Sequence, residues 1–447
     1  MNRQITRLFA LVVLLFALLV AFTSRWTVFE ASELEANAAN RRGLLEQQRV
    51  PRGRILARDG SVLASSVGAG RRENRRYSRT YPLGDLFGHP LGYSFVDRGQ
   101  AGLDQSLDPE LTGDDDELST IVKELSGDSV RGNDVRTTLD PGAQRVAMRA
   151  LGGRAGSIVA MEPRTGRIRV MVSTPGYDPN TVPERYRELN TAAGSPLLNR
   201  ATQGTYPPGS TFKVVTAAAA LDSGRFRPAS IVDGSSPKTI SGRPLSNFGD
   251  QDYGPITLTD ALTNSVNTVW AEVATRLGGE TMADYMERFG FGKVPPIDYP
   301  RDQTVPSGLF NRGRLLEPAD RRVDLGRMAI GQERLQVTPL QMATVAATVA
   351  NRGSRMEPQL VERVVDRDGR VVDQPRPAEA AQVMGADSAA ELTEMMSKVV
   401  EEGSGTAAAL EGGIRVAGKT GTAEVDSGST NQAWFIGFGP VDRPRMA

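Results

Sequence analysis

The 447-residue sequence predicts an α+β protein of two domains hung from one membrane helix, and three observations carry that expectation. Leu8 to Phe22 is an unbroken apolar run of fifteen residues near the N-terminus. A stretch rich in Gly, Arg and Asp follows, without the periodicity of a compact core. Near residue 153 the texture changes to paired β-rich runs, and further on to an Ala- and Val-rich helix that is apolar nearly all round.

In chain order, the apolar run comes first. It is preceded by Arg3 and Arg7 and closed by Thr23, Ser24 and Arg25. Its length is near the lower edge for a spanning helix, about 17–25 residues. A cleaved signal peptide has the same charged start, but Phe22 to Trp26 offers no small-x-small cleavage site, so an uncleaved signal-anchor is expected. Basic residues before the run, with no strong basic cluster after it, put the N-terminus in the cytoplasm and the rest outside.

Thr27 to Val50 reads as a stalk helix leaving the membrane. Asp59-Gly60 between two short apolar arms predicts a hairpin with a two-residue type I′ turn. Arg71 to Arg131 reads as an irregular α+β module. Asp140 followed by Pro141 is a helix start, with the helix running to about Leu151. Ser157–Met161 and Arg167–Val172, joined by Pro163-Arg164-Thr165-Gly166, predict an antiparallel hairpin. Phe212–Leu221 is a buried helix, Ala261–Arg276 and Thr338–Val349 are further helices, and Ile414–Thr422 and Ala433–Gly439 are adjacent strands. The expected division is anchor 1–26, N-terminal pedestal 27–152 and second domain 153–447.

Composition narrows the chemistry. His89 is the only histidine and there is no cysteine, so a Ser-His-Asp triad would depend on one ring, and metal sites built from several His or Cys ligands are excluded. No cofactor or metal is expected. The absence of cysteine fits an oxidising compartment. Acidic and basic residues balance at 53 each, leaving no nucleic-acid footprint. Only six of the 53 basic residues are lysines, which makes each lysine in a motif conspicuous.

Two of those lysines lie in motifs. In Ser210-Thr211-Phe212-Lys213, behind Tyr206-Pro207-Pro208-Gly209, the serine and lysine lie three apart and share one helix face. A helix start at Gly209-Ser210 puts free N–H groups beside the hydroxyl, and burial in the Ala/Val helix would lower the Lys213 pKa toward that of a working base. The spacing recurs at Ser235-Ser236-Pro237-Lys238, where Pro237 sits inside the turn that would have to be helical, so that copy is a loop. Ser265-Val266-Asn267 offers a hydroxyl and a carboxamide that reach one cleft together only from a bent turn; alone it reads as an ordinary polar turn, and Ser429-Thr430-Asn431 repeats the pattern. Lys419-Thr420-Gly421-Thr422 on a strand puts Lys419 and Gly421 on one face and Thr420 and Thr422 on the other. There the glycine would admit a substrate backbone while ammonium and hydroxyls bind a carboxylate.

The three motifs in this order resemble those of penicillin-binding proteins and serine β-lactamases. The chain is similar to class B penicillin-binding proteins, most narrowly to the penicillin-binding protein A group of actinobacteria. Further matches are Arg52-Gly53-Arg54-Ile55, Gly102-Leu103-Asp104-Gln105-Ser106, Asn199-Arg200-Ala201, Gly331-Gln332, Thr338-Pro339-Leu340-Gln341 and Trp434-Phe435-Ile436-Gly437-Phe438. The resemblance implies a transpeptidase domain with an antiparallel sheet between helices, and a D,D-transpeptidase that cross-links peptidoglycan stem peptides and is acylated by β-lactams. It implies that Ser210 attacks the penultimate D-alanine carbonyl and Lys213 takes its proton. Ser265 relays a proton to the leaving amine, Asn267 binds the substrate amide, and Lys419 supports both that network and the terminal carboxylate. Thr420 and Thr422 hold the carboxylate, and the Ser210 and Thr422 N–H groups form the oxyanion hole. A lipid-II polymerase of the SEDS type is the implied partner.

Three other readings account for parts of the sequence. A serine β-lactamase needs a water-activating base, and Glu188-Leu189-Asn190 precedes Ser210 where that family has its motif after the Ser-x-Asn element. A bifunctional class A protein needs a glycosyltransferase domain, for which the residues between anchor and second domain are too few. A penicillin-recognising sensor or scaffold stays compatible with the intact motifs. The family continues past Phe438 with another core strand and a C-terminal helix, so the chain is expected to lack the outer strand of its sheet and to leave a helix face uncovered.

Overall fold

The computed structural model describes residues 2–25, 50–71, 75–113, 131–423 and 431–447. The expected stalk, apart from Val50, lies outside the described residues, as do Ser429 and Thr430 of the second Ser-x-Asn.

Helix α1 (Asn2–Ser24) is longer than the apolar run that predicted it. Its Arg3–Ser24 portion holds an 18-residue window of mean hydropathy 2.7 and is long and apolar enough to cross a membrane. At 1.5 Å per residue it reaches about 33 Å, against a hydrocarbon core of about 30 Å.

The described strands that organise the rest are, in chain order, β1 (Ile55–Leu56), β2 (Val62–Ala69), β3 (Arg76–Thr80), β4 (Asp134–Thr137), β5 (Gly156–Met161), β6 (Ile168–Thr174), β7 (Val361–Val365), β8 (Val371–Asp373), β9 (Ala417–Ala423) and β10 (Gln432–Phe438). Six of them form one sheet in the order β8-β7-β4-β1-β2-β3. The N-terminal module therefore completes its sheet with two strands that arrive more than 200 residues later: β7 pairs antiparallel with β4, Val364 opposite Val135. A buried charge cluster sits under this sheet. Asp104 accepts from Arg79 Nε (3.1 Å) and the Tyr81 hydroxyl (2.7 Å), and Arg52 Nη2 donates to the Asp104 carbonyl (2.8 Å).

The β1–β2 turn differs from the expected one. Ala57 N–H donates to Ser61 O (2.9 Å) and Gly60 N–H to Ala57 O (3.0 Å), and of the turn residues only Gly60 has positive φ, +88°. The connection is thus a three-residue loop, Arg58–Gly60, with glycine in the left-handed position. Asp59 keeps a negative φ because its carboxylate accepts from Ser61 N (2.9 Å) and Oγ (2.7 Å).

In the second half, β5 and β6 form the expected hairpin, Val159 opposite Met171. Asp140 Oδ1 caps the preceding helix by accepting from Gly142 N (2.9 Å) and Ala143 N (3.1 Å). Strands β9 and β10 form a second ladder, Lys419 opposite Ile436. The two ladders stay separate two-stranded units. Met446 and Ala447 run between them: Gly439 N–H donates to Met446 O (3.0 Å), and Ala447 exchanges two hydrogen bonds with Met161 (2.8 and 2.9 Å).

The helical half packs around a 3-10 turn, Gly209–Phe212, that leads directly into helix α2 (Lys213–Asp222). Every residue of α2 but the last is buried, as its all-round apolar sequence requires. The expected single helix over 261–276 is instead two, α3 (Leu258–Thr263) and α4 (Asn267–Leu277). The break comes at Ser265, which has φ +58°, and at Val266, whose extended backbone re-aims the chain. Helices α5 (Pro339–Ala350), capped by Thr338, and α6 (Ala386–Glu401) close the core on the sheet side.

Candidate active site

The 3-10 turn and α2 put Ser210 half-buried and Lys213, three residues on, wholly buried. The turn is held from several sides. Gly209 N–H donates to Gly331 O (3.0 Å), Tyr206 exchanges two backbone bonds with Val337 (3.0 and 2.9 Å), Thr211 Oγ1 donates to Pro208 O (2.8 Å), and the Trp434 indole N–H donates to Pro207 O (3.0 Å).

Lys213 Nζ donates to Ser265 O (2.7 Å) and Asn267 Oδ1 (2.7 Å) and lies 3.2 Å from Ser265 Oγ. Lys419 Nζ approaches the same Ser265 Oγ from the other side at 2.9 Å and bonds Thr420 O (3.1 Å). Burial pushes Lys213 well below the usual lysine pKa, and the neighbouring charge of Lys419 pushes it further. Burial alone brings Lys419 down to about 7. A neutral Lys213 has two N–H donors, satisfied by Ser265 O and Asn267 Oδ1, and one lone pair left for a hydroxyl proton. Ser265 can then give its proton to Lys213 while accepting from Lys419, so the two amines share one hydroxyl bridge. The Ser210 hydroxyl makes no hydrogen bond among the described residues, so in this state the lone pair faces Ser265. Catalytic hydrogen bonds commonly tighten only when substrate arrives.

Local conformation makes this meeting possible. Ser265 occupies the left-handed region after α3, which turns its carbonyl back onto Lys213 and is strained for a residue with a Cβ. Asn267 opens α4, and its Nδ2 donates to Ser246 O (3.2 Å), leaving Oδ1 to face Lys213. Asn247, which the sequence reading missed, caps the start of α4: Oδ1 accepts from Thr268 N (3.0 Å) and Oγ1 (3.2 Å), and Nδ2 donates to Gly234 O and Gln251 O (3.0 Å each). It lies in a loop twenty residues upstream, and no sequence spacing signals it.

On β9 the expected alternation holds: Lys419 and Gly421 are buried, Thr420 is half-buried and Thr422 exposed. At Gly421 the serine turn packs directly against the strand. A Cβ there would meet Pro208 O at 2.8 Å and Thr211 Cγ2 at 2.9 Å, so the glycine lets β9 come close to the serine turn. Thr420 Oγ1 bonds Ser404 Oγ (2.6 Å) on the rim, and Ser404 is itself tied to the end of α3 through Thr263 O (3.2 Å). Thr422 O faces Gly209, 2.6 Å from where a Cβ would stand. A strand residue's N–H points to the same edge as its C=O, so the Thr422 N–H also faces the serine turn.

Other sequence candidates lie elsewhere. Lys238 follows a non-helical Ser236-Pro237 and is ion-paired to Asp233 and Glu272. His89 is buried, its Nε2 2.8 Å from Pro196 O, and burial lowers it to about 4, a neutral ring near pH 7. Glu188 is exposed and paired with Arg185 (2.9 Å).

A serine at a helix start, a neutralised lysine one turn on and a second Ser/Lys pair closing the site define a serine acyltransferase without histidine. Residues 156–447 match the penicillin binding protein transpeptidase domain, and residues 52–135 match the penicillin binding protein A dimerisation domain. The peptidoglycan D,D-transpeptidase PbpA of Mycolicibacterium smegmatis is 35% identical over 475 residues, covering 100% of this chain and 93% of the relative. PbpA of Mycobacterium tuberculosis is 32% identical over 472 residues, with the same coverage. Among solved structures, penicillin-binding protein A from M. tuberculosis as its imipenem acyl-enzyme complex superposes with a TM-score of 0.79 at 31% identity, over 90% of this chain and 93% of that one. The D,D-transpeptidase domain of a peptidoglycan glycosyltransferase from Eggerthella lenta gives 0.78 at 33% identity, over 89% and 92%. The chain belongs to the penicillin-binding protein transpeptidase family.

Proposed function

We propose that this protein is a peptidoglycan D,D-transpeptidase that cross-links stem peptides through an ester on Ser210, and that β-lactams acylate the same oxygen. The observation that carries the reading is Lys213: wholly buried, pushed toward its neutral form, and held by Ser265 and Asn267 one turn from Ser210. The named relatives and the β-lactam acyl-enzyme structures of a relative support it.

Ser210 Oγ bonds to the donor peptide's carbonyl carbon while its proton passes to Lys213 Nζ. The negative oxygen that develops is taken by the Ser210 and Thr422 N–H groups. The C–N bond to the terminal D-alanine breaks, and Ser265 Oγ gives its proton to the leaving amine, drawing one from Lys213. Lys419 keeps Ser265 oriented throughout and holds positive charge near the substrate carboxylate, for which Thr420 and Thr422 supply hydroxyls. Asn267 holds the peptide amide. An acceptor amine then attacks the ester, the C–O bond breaks, and the proton returns to Ser210 by the same route. Gly421 acts by letting β9 approach the serine turn. No carboxylate among the described residues is hydrogen-bonded to Ser210, Lys213, Ser265 or Lys419, which favours transfer to an amine over rapid hydrolysis.

The layout proposed is a signal-anchor over 1–26, a pedestal over 27–152 and the transpeptidase domain over 153–447. The N-terminus is cytoplasmic and the site outside, because Arg3 and Arg7 precede the span. A SEDS-type polymerase is the proposed partner, by family resemblance. Fluorescent penicillin labelling of the wild type and of Ser210→Ala tests the core of the reading. Labelling should vanish in the variant, and labelling that survives sinks it.

A further inference from the structure

Thr420 stands half-buried on β9, its carbonyl bonded by Lys419 Nζ (3.1 Å) and its hydroxyl 2.6 Å from Ser404 Oγ. The Ser404 backbone is fixed from behind. Its N–H donates to Thr263 O (3.2 Å), one of the carbonyls left over where α3 ends, and the next N–H, that of Gly405, donates to Val399 O on α6 (2.9 Å). A Cβ on Gly403 would strike Thr263 O and lie 3.0 Å from Val399 Cα, so the chain comes this close to both helices only as glycine. Helix α3 leads straight into the turn where Ser265 N–H donates to Leu262 O (3.1 Å) and Ser265 Oγ meets Lys419 Nζ (2.9 Å). The path Ser265, Lys419, Thr420, Ser404, Thr263 therefore closes on itself and joins the proton relay to the outer hydroxyl of β9.

A hydroxyl has one proton to donate and two lone pairs to accept with. An ionised carboxylate only accepts, so a Thr420 hydroxyl that serves one spends its proton there and can only accept from Ser404. Ser404 is then the donor of the 2.6 Å contact. That bond holds the Thr420 side chain in one rotamer with its proton turned away from Ser404. It also strengthens Thr420 as a donor, as hydrogen bonds in a chain polarise one another. Water can take the place of the exposed Ser404 hydroxyl as a partner, but it has no backbone clamped between two helices and so does not fix the direction.

We propose that Ser404 is a positioning residue that makes the site select substrates with a carboxylate beyond the scissile carbonyl, by donating to Thr420 and turning the Thr420 proton toward that carboxylate; this rests on the transpeptidase reading above. The test is thiol release by the full chain in detergent micelles from two N-acyl-D-alanyl thioesters that differ only in the leaving group, thioglycolate with its carboxylate or neutral thioglycolamide. The wild type should favour the carboxylate. Ser404→Ala should lower kcat/KM for the carboxylate thioester by roughly tenfold, as a hydrogen bond to a charged group loses its direction, and for the carboxamide by less than about twofold. Ser404→Thr keeps the hydroxyl and should restore the preference, a selective rescue that a merely structural role would not give. A wild type without preference, equal losses on both thioesters, no loss on either, or Ser404→Thr behaving as Ser404→Ala would overturn the inference. Failure of the transpeptidase reading shows separately, as fluorescent penicillin labelling that survives in Ser210→Ala.

Discussion

At the residue scale the chemistry turns on two amines sharing Ser265. Lys213 is a base only when neutral, so acylation should fall as pH drops and its lone pair is lost. Because the charge of Lys419 helps to lower Lys213, Lys419→Ala should move the acid limb of the acylation profile to higher pH, besides slowing acylation by roughly 10²–10⁴-fold. The two groups titrate as a pair, so the limb belongs to both. Stopped-flow acylation against pH reads this directly, and an unmoved limb would contradict the coupling. Asn247→Ala strips the cap from α4 and leaves Gly234 O, Gln251 O and Thr268 without their partner. A loss of about 1–3 kcal/mol in denaturant unfolding and slower acylation should follow. The sequence showed the motif residues and the need for a buried lysine, because those depend on local spacing and on an apolar helix. It was silent on Asn247 and Ser404, whose partners Thr268 and Thr420 lie 21 and 16 residues further along the chain.

At the element scale, the strand periodicity of β9 was legible and its neighbour was not. Alternation puts Lys419 and Gly421 on one face, but only the packed structure reveals that this face meets the serine turn. Gly421→Ala should push β9 off that turn and slow acylation by something like 100-fold, the effect expected of a shift near 1 Å. Gly60→Ala makes the control: a Cβ there meets nothing within 4 Å, but φ is +88°. It should cost about 1 kcal/mol of stability and leave acylation unchanged. Equal acylation in both variants would argue against a tight strand-to-turn fit. The split of 261–276 into two helices escaped the sequence for a related reason. Helical periodicity continues through Asn264–Val266, and what stops the helix is Ser265 taking the left-handed conformation that lets its carbonyl reach Lys213.

At the scale of the whole molecule, the hairpins, caps and order of texture followed from sequence, while the membership of the six-stranded sheet did not. Nothing local to Val361–Val365 says that it pairs with Asp134–Thr137 rather than with a strand nearer in the chain. Thr138 adds to the join, its N–H donating to Leu360 O (2.8 Å) and its hydroxyl to Ile168 O (2.5 Å). A fragment ending at residue 152 should therefore fail to fold, because β4 loses β7 and Leu139 and Val135 lose their cover. Limited proteolysis and circular dichroism of that fragment would decide, and a protease-resistant, cooperatively melting fragment would show that the pedestal stands alone.

The late arrival of β7 also bears on how the protein is made. A ribosome delivers the chain from its N-terminus, so β1 to β4 emerge while their closing strand is more than 200 residues behind. Until Val361–Val365 appears, β4 presents an open edge to whatever the growing chain meets. Synthesis thus carries a built-in timer: the six-stranded sheet cannot close until the Ser210 turn, Ser265 and Asn267 have all left the ribosome.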